Sequence, residues 1–368
     1  MTLRRGSVTE RERMPGVSVV QDLVDTAPAL AFLCLGVPYA ALLDRLGAFD
    51  AFVSWVAARR GSVSFASIWL LSAVVTALLN LDTTIVLLTP ITIGLARRCN
   101  RDALSVAVIP LLLSGLASSF LPVSNLTTLI VQGRTGITTS DVVATLWPAS
   151  ITAVVVGWLL YRRRDTAALQ LTDTGSLDDR ALKVGFLIVT ATVLGFVAGS
   201  MVGISPWMVL LVADAVLAAL LRWFPWRQVP LGTAGTIGAV VAVVSWSGIG
   251  AGRWMSKDGV GPTVAATGIG AVLANLINNL PSVLLGLGDA TPANSGHMSD
   301  GMWGWLWGVN AGSLLLPWGT LATVLWWRVL RNEGVEIDLR RYTRAVLPIA
   351  TPAFAAGAAV LAATLVAR

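Results

Sequence analysis

Charge is scarce in this chain. Of its 368 residues, 12% are Asp, Glu, Lys or Arg, against roughly 25% in a soluble globular domain. Hydrophobic residues make up 55%, and mean hydropathy is +0.75. That balance excludes an ordinary soluble domain. Cysteine is nearly absent: Cys34 and Cys99 are the two present, in no paired motif, which excludes a disulfide framework or a thiolate metal centre. There is one histidine, His297, in a polar loop. With no nucleophile–base pairing and no metal-ligand spacing, the chain reads as a non-enzyme without cofactor or metal. It contains no nucleotide-binding loop, so any use of ATP requires a partner chain. Residues 1–26 are polar and charged and lack the pattern of a secretory signal. They are expected to form a surface segment.

What is present is a series of long apolar runs separated by short arginine-rich loops, the pattern of a helical bundle in a membrane and not of a barrel. The net charge of +6 would suggest nucleic acid in a soluble protein. Here the arginines cluster at the ends of apolar runs, where they set orientation in the bilayer, and nucleic acid is not expected as a partner. Spans are expected at 27–46, 65–98, 103–131 and 145–161, with an interfacial stretch at 47–61. After a polar linker at 165–181, further spans are expected at 182–200, 206–222, 231–251, 264–288, 302–329 and 345–366. Trp303, Trp305, Trp307, Trp326 and Trp327 are expected to anchor at the membrane interface. The 35 glycines are expected to serve close helix packing.

Four of these runs are interrupted by polar residues. Asn80-Leu81-Asp82-Thr83-Thr84 splits 65–98 into halves of about 14 residues, each about 21 Å long and short of the ~30 Å hydrocarbon core. Two short halves around a polar tip predict a re-entrant hairpin. Asn278-Asn279-Leu280-Pro281-Ser282 does the same in 264–288. Pro122 and Pro317 break the runs between, since proline removes a backbone donor. The segment from Gly115 to Ile130 aligns without gaps with Asn310 to Leu325, matching Ser118, Leu121, Pro122, Leu126 and Thr128 with Ser313, Leu316, Pro317, Leu321 and Thr323. In that scheme Asp82 falls opposite Asn279. The expected fold is therefore an all-α membrane protein, an inverted-repeat helical transporter with two re-entrant hairpins and two broken helices. Residues 27–164 form the first repeat, 165–181 a cytoplasmic linker and 182–368 the second, inverted repeat. Following the spans, the loops that hold Arg97, Arg98, Arg162, Arg163, Arg164, Arg222, Arg328, Arg331 and Arg344 fall on one face, which is then cytoplasmic at the cell membrane.

Irregular polar backbone at membrane depth is tolerated only where it is buried or lines a wet cavity, and paired interruptions in two halves point to a transport site. The candidate solute- or ion-binding residues are Asn80, Asp82, Thr83, Thr84, Ser124, Asn125, Thr128, Asn278, Asn279, Ser282, Asn310, Gly319, Thr320 and Thr323. Taken singly, each Ser or Thr suits interhelical packing as well as binding. Asp82 is the sharpest candidate, because a carboxylic acid in an apolar span marks an ion or substrate pathway. It suits solute contact, cation binding or proton transfer. Asp214, in a plain span, is a weaker candidate for proton coupling. No Lys or Arg stands at these breaks, so a neutral polyhydroxyl solute or a cation fits more simply than a multivalent anion.

The stretches LLDRLGAFDAF (42–52), ALLNLDTTIVLLTP (77–90), LPVSNLTTLIV (121–131), ANLINNLPSVLLG (274–286) and NAGSLLLPWGTLATVLW (310–326) resemble the ion transporter superfamily, and within it the arsenite/antimonite efflux permeases. The acid, the Ser124-Asn125 pair, Asn278-Asn279-Leu280-Pro281 and Gly319-Thr320-Leu321-Ala322-Thr323 match the family pattern. Leu81 replaces the family's asparagine before the acid, and Asn310 stands where an acid is common. Against the family's usual length, the first two spans are expected to be missing. The resemblance implies scaffold and transport domains moving as an elevator, and efflux of arsenic or antimony hydroxide driven by protons or by a soluble ATPase. A homodimer, membrane lipid, and proton or sodium as coupling ion are further expected partners. Carboxylate transport and sodium/proton exchange belong to the same superfamily. A non-transporting membrane protein is the reading from another class, with the sign that Asp82→Asn and Asn279→Ala change nothing.

Overall fold

A computed structural model describes residues 15–48, 51, 54–55, 64–164, 178–247, 255–287 and 296–368. These residues form fourteen α-helices and no strand. The first half contains α1 (Pro15–Arg45), α2 (Phe65–Leu79), α3 (Leu81–Arg98), α4 (Ala103–Leu116), α5 (Leu126–Thr135) and α6 (Thr139–Tyr161). The second contains α7 (Asp179–Met201), α8 (Pro206–Leu221), α9 (Leu231–Ser247), α10 (Val260–Ile277), α11 (Asn279–Leu287), α12 (Asp300–Ala311), α13 (Leu321–Asn332) and α14 (Leu339–Val366). Among the described residues, Thr26–Arg45 of α1, together with α6, α10 and α14, is long and apolar enough to cross a membrane. The chain is a multi-pass membrane protein.

Several boundaries differ from expectation. Residue Pro15, the first described, is already helical in α1, well ahead of residue 27. Most of the interfacial stretch 47–61, residues 165–177 of the linker, and the polar loop at 288–295 lie outside the described residues. The end of the linker is already helical: Asp178 caps α7 by accepting from the backbone of Arg180 and Ala181.

The polar interruptions are narrower than five residues. Between α2 and α3 only Asn80 is non-helical, at φ 134° and ψ 156°, and between α10 and α11 only Asn278, at φ 80° and ψ 155°. Leu81–Thr84 and Asn279–Ser282 are the first turns of the next helices. Pro281 fits there, since a first-turn N–H has no intrahelical partner to lose. The fold at Asn80 is sharp. Thr76 donates to the Thr84 hydroxyl at 3.0 Å, although residues eight apart in a straight helix are separated by about 12 Å along the axis. Matching the two break residues pairs Asn80 with Asn278 and places Leu81, not Asp82, opposite Asn279.

Two apolar clusters hold the helices together. The larger joins α2–α6 to α10–α14 through residues such as Ile109, Leu146, Trp305, Trp307, Trp326 and Ile349. The smaller joins α1, α7 and α8 to α2 and α3, with Leu42, Leu43, Val75, Leu87, Leu88, Phe196, Leu210 and Leu217. Trp303, Trp305, Trp307 and Trp326 are therefore core residues, 4%, 0%, 0% and 0% exposed, and not interface anchors. The indoles of Trp326 and Trp307 find the backbone carbonyls of Ala107 and Phe354, which removes the cost of burying an N–H. Helices α10 and α12 lie in close contact because α12 presents glycine: a Cβ on Gly304 or Gly308 would sit 2.3 or 2.2 Å from a carbonyl oxygen of Thr263 or Thr267.

Candidate functional site

Leu81, Leu126, Asn279 and Leu321 are the first residues of α3, α5, α11 and α13. All four line one internal cavity with Leu33, Asp82, Asn125, Ile237 and Leu280. Four helix N-termini thus meet at one point, two from each half of the chain. Each brings backbone N–H groups without intrahelical partners and the positive end of a helix dipole. The cavity is about 10 Å³, near the smallest that holds one water, so a larger solute requires these helix ends to part.

The sequence sets each start with a short polar side chain. Asn80 Oδ1 accepts from Asp82 N at 2.7 Å, Asn125 Oδ1 from Thr127 N at 3.2 Å, Asn278 Oδ1 from Leu280 N at 3.4 Å, and Thr320 Oγ1 from Thr323 N at 3.0 Å. These are capping bonds of the kind Asn and Thr favour. Asp82 follows its cap and projects from the first turn of α3. It is 6% exposed, and its Oδ1 is buried without a hydrogen-bond partner among the described residues. Among the described residues, no Lys or Arg lines the cavity. The compensation available to an Asp82 carboxylate is the set of helix N-termini around it.

Behind the cavity, a hydroxyl–amide network ties the halves together. The Thr127 hydroxyl lies within hydrogen-bonding distance of both Asn125 Oδ1 and Asn310 Oδ1 and has one proton to give to either. The Asn310 amide donates to Ser119 Oγ at 3.1 Å and Thr128 Oγ1 at 3.0 Å, and the Asn125 amide to Ser118 Oγ at 3.2 Å. Asn310, on α12, is thus engaged by Ser119 from the break between α4 and α5 and by Thr127 and Thr128 from the first turn of α5. In the second half Asn275 plays the corresponding part. Its amide donates to Gly312 O, its Oδ1 accepts from Leu316 N, and its carbonyl accepts from the Trp318 indole. Gly319 is required beside it, because a Cβ there would lie 2.1 Å from Ser313 O. Asn279 N then donates to Gly319 O at 2.9 Å and Asn278 Nδ2 to Trp318 O at 3.1 Å, which fixes the start of α11 against the start of α13.

Of the fourteen candidate residues, Asp82, Asn125 and Asn279 line the cavity. Asn80, Asn278 and Thr320 cap the helices that reach it, with Thr323 bonded to Thr320. Asn310 and Thr128 belong to the network behind. The hydroxyls of Ser124, Thr84 and Ser282 are taken by the backbone of Ser118, Asn80 and Asn278, and Thr83 faces Gly36 O of α1. Asp214 lies elsewhere, in the smaller cluster on α8, with both carboxylate oxygens buried and without hydrogen-bond partners among the described residues. Sequence reasoning missed Asn275, Ser118 and Ser119. The signal for Asn275 was an amide within the apolar run of α10; the two serines had none, being common packing residues. Cys34 follows Leu33 on α1 but is not among the lining residues.

Residues 18–311 match the family model described as citrate transporter (CitMHS). The chain belongs to the citrate transporter family. Among relatives in this family, the arsenical pump membrane protein of Yersinia enterocolitica is 27% identical over 352 residues, covering 84% of this chain and 80% of the relative. The arsenical pump membrane protein of Escherichia coli (strain K12) is 26% identical over 380 residues, covering 92% and 86%. An uncharacterized transporter of Mycobacterium tuberculosis is 26% identical over 335 residues, covering 82% and 78%. As a member of the citrate transporter family with apolar spans, the chain is a membrane transporter.

Proposed function

We propose that the protein exports trivalent arsenic or antimony hydroxide by proton-coupled secondary transport, with the solute held among Asp82, Asn125 and Asn279. The observation that carries this reading is the cavity itself: one carboxylic acid and two amides among four helix N-termini, with no Lys or Arg among the described residues and an otherwise apolar wall. A neutral hydroxide both donates and accepts hydrogen bonds. Asp82 and the amide oxygens accept from it, while backbone N–H groups and amide nitrogens donate to it. An acid that exchanges its proton as the solute arrives couples the two fluxes. The relatives' printed names point to the same solute class. In this reading α2/α3 and α10/α11 are re-entrant hairpins of two inverted repeats, 27–164 and 182–368 joined by the 165–181 linker. Helices α1, α7 and α8 are the static scaffold of an elevator, and the arginine-rich loops face the cytoplasm.

The same four helix N-termini favour a second reading, transport of a carboxylate such as citrate, because helix starts stabilise anions. Everted membrane vesicles separate the two. Arsenite and antimonite are expected to accumulate on imposing a proton gradient, with citrate and a sodium gradient without effect. Expression is expected to confer arsenite resistance on a sensitive host. Citrate accumulation with no arsenite accumulation and no resistance overturns the first reading in favour of the second.

A further inference from the structure

We propose that the groove between the end of α13 and the start of α14 is a binding site for an anionic phospholipid of the surrounding bilayer, and that this lipid braces the α10–α11 break. The groove has a volume of about 740 Å³ and is lined by Trp318, Val324, Trp327, Arg328, Arg331 and Leu339, among others. Its walls combine two chemistries. Trp318, Val324 and Leu339 are 48%, 40% and 48% exposed, at the foot of α14, a helix apolar enough to span the bilayer. Such surface takes acyl chain. Arg328 and Arg331 are exposed, one turn apart on α13, and have no ion-pair or hydrogen-bond partner among the described residues.

The nearby acids do not neutralise them. Glu333 is engaged by Arg97, at 3.1 Å through its carboxylate and again through its carbonyl. Asp338 caps α14 by accepting from Arg341 N. Glu336 and Asp338 line an adjoining lobe that shares Trp327 and Arg331 with the groove, and no acid among the described residues lines the groove itself. Two unpaired guanidinium groups above an apolar wall complement a phosphate above acyl chains, and basic pockets between membrane helices bind anionic headgroups in this way.

The groove also reaches the transport machinery. Trp318, exposed in its wall, donates its indole N–H to Asn275 O at 2.7 Å and accepts from Asn278 Nδ2 at 3.1 Å. A lipid against Trp318 therefore bears on the residues that hold the start of α11. Neither the groove nor its link to the start of α11 depends on which solute is carried.

Native mass spectrometry and thermal melting of the full chain in detergent test the site. With phosphatidylglycerol added, the wild type is expected to retain lipid in preference to phosphatidylcholine and to melt at higher temperature. The Arg328→Gln/Arg331→Gln variant is expected to lose about 30-fold in retention, the effect of two basic contacts at a membrane surface, and its melting should no longer respond to phosphatidylglycerol. Arg163→Gln, on a separate loop, is the control and should match the wild type. Trp318→Leu in the wild-type background should retain the lipid but lose most of the thermal response. Equal retention by the wild type and the double variant overturns the site. An equal shift with inorganic phosphate alone overturns the lipid assignment in favour of a soluble anion, and a full thermal response in Trp318→Leu overturns the bracing of the break.

Discussion

Asp82 combines features that rarely occur together: an acid in a span, an unpartnered buried oxygen, and four helix N-termini facing the same cavity. If it carries the coupling proton, Asp82→Asn keeps the volume and the hydrogen-bonding reach but not the exchangeable charge. Transport is expected to fall at least ~10-fold, about 1.4 kcal/mol, and what remains should no longer follow the imposed proton gradient. A variant that still concentrates solute in step with the gradient sinks this role. The sign of pH dependence follows: export from wild-type cells should slow as the medium is made alkaline, whereas the variant's rate should stay flat. Asn80 allows a second prediction. Its backbone lies in a region that is essentially glycine's alone, at a cost of about 1–3 kcal/mol. Asn80→Gly relieves the strain and loses little as a cap, so its melting temperature in detergent should equal or exceed the wild type's. Asn80→Val meets the same strain with a β-branched side chain and no cap, and should melt lower. Equal melting of the two variants contradicts this account of the break. At this scale Asp82, Asn125 and Asn279 were legible, because a charge or an amide within an apolar run is conspicuous. Ser118 and Ser119 were not, since the network that gives them meaning closes only when the two halves meet at Asn310.

The helices follow from hydrophobic run length, and the breaks from proline and polar islands, so both were readable along the chain. What was not readable is how narrow the breaks are. Asx capping lets the next helix start immediately after Asn80 or Asn278, so Thr83, Thr84 and Ser282 spend their hydroxyls on helix backbone. The buried tryptophans escaped for a related reason. Hydropathy places an indole equally well at an interface or in a core, and the glycines of α12 decide the matter only through the neighbour they admit. That neighbour is α10, and Gly308 is where the approach is closest. Gly308→Leu adds a side chain where even a Cβ would meet Thr267 O at 2.2 Å. Overpacking of this kind costs about 1–3 kcal/mol, and the expected result is lower yield of folded protein and an earlier melt in detergent. Substitution at Gly268, with nothing within 4 Å of its Cβ position, should leave melting near the wild type. Equal losses at the two positions argue against close α10–α12 packing.

Across the whole molecule, the closed cavity and the division into two apolar clusters raise the question of what moves. A cavity of about 10 Å³ admits no metalloid hydroxide until helix starts separate. In the smaller cluster α1, α7 and α8 pack on α2 and α3, the arms of the Asn80 turn, and there Thr83 faces Gly36, whose Cβ position lies 3.9 Å from Thr83 Oγ1. If α1 belongs to a static scaffold and the α2–α3 turn travels past it, a covalent tie at this point should stop transport. The position suits a cross-link, because a cysteine at 83 can place its sulfur near the Thr83 Oγ1 position, beside the Gly36 Cβ position, and a Cβ on Gly36 makes only ordinary contacts. In a background of Cys34→Ala and Cys99→Ser, the Gly36→Cys/Thr83→Cys pair is expected to cross-link under mild oxidation, to lose transport, and to recover on reduction. Each single cysteine should be insensitive to oxidant, which separates the tie from damage by the substitutions. Full transport by the cross-linked protein means that α1 and the turn move as one body, and the moving boundary must then lie elsewhere, between the two halves joined at Asn310.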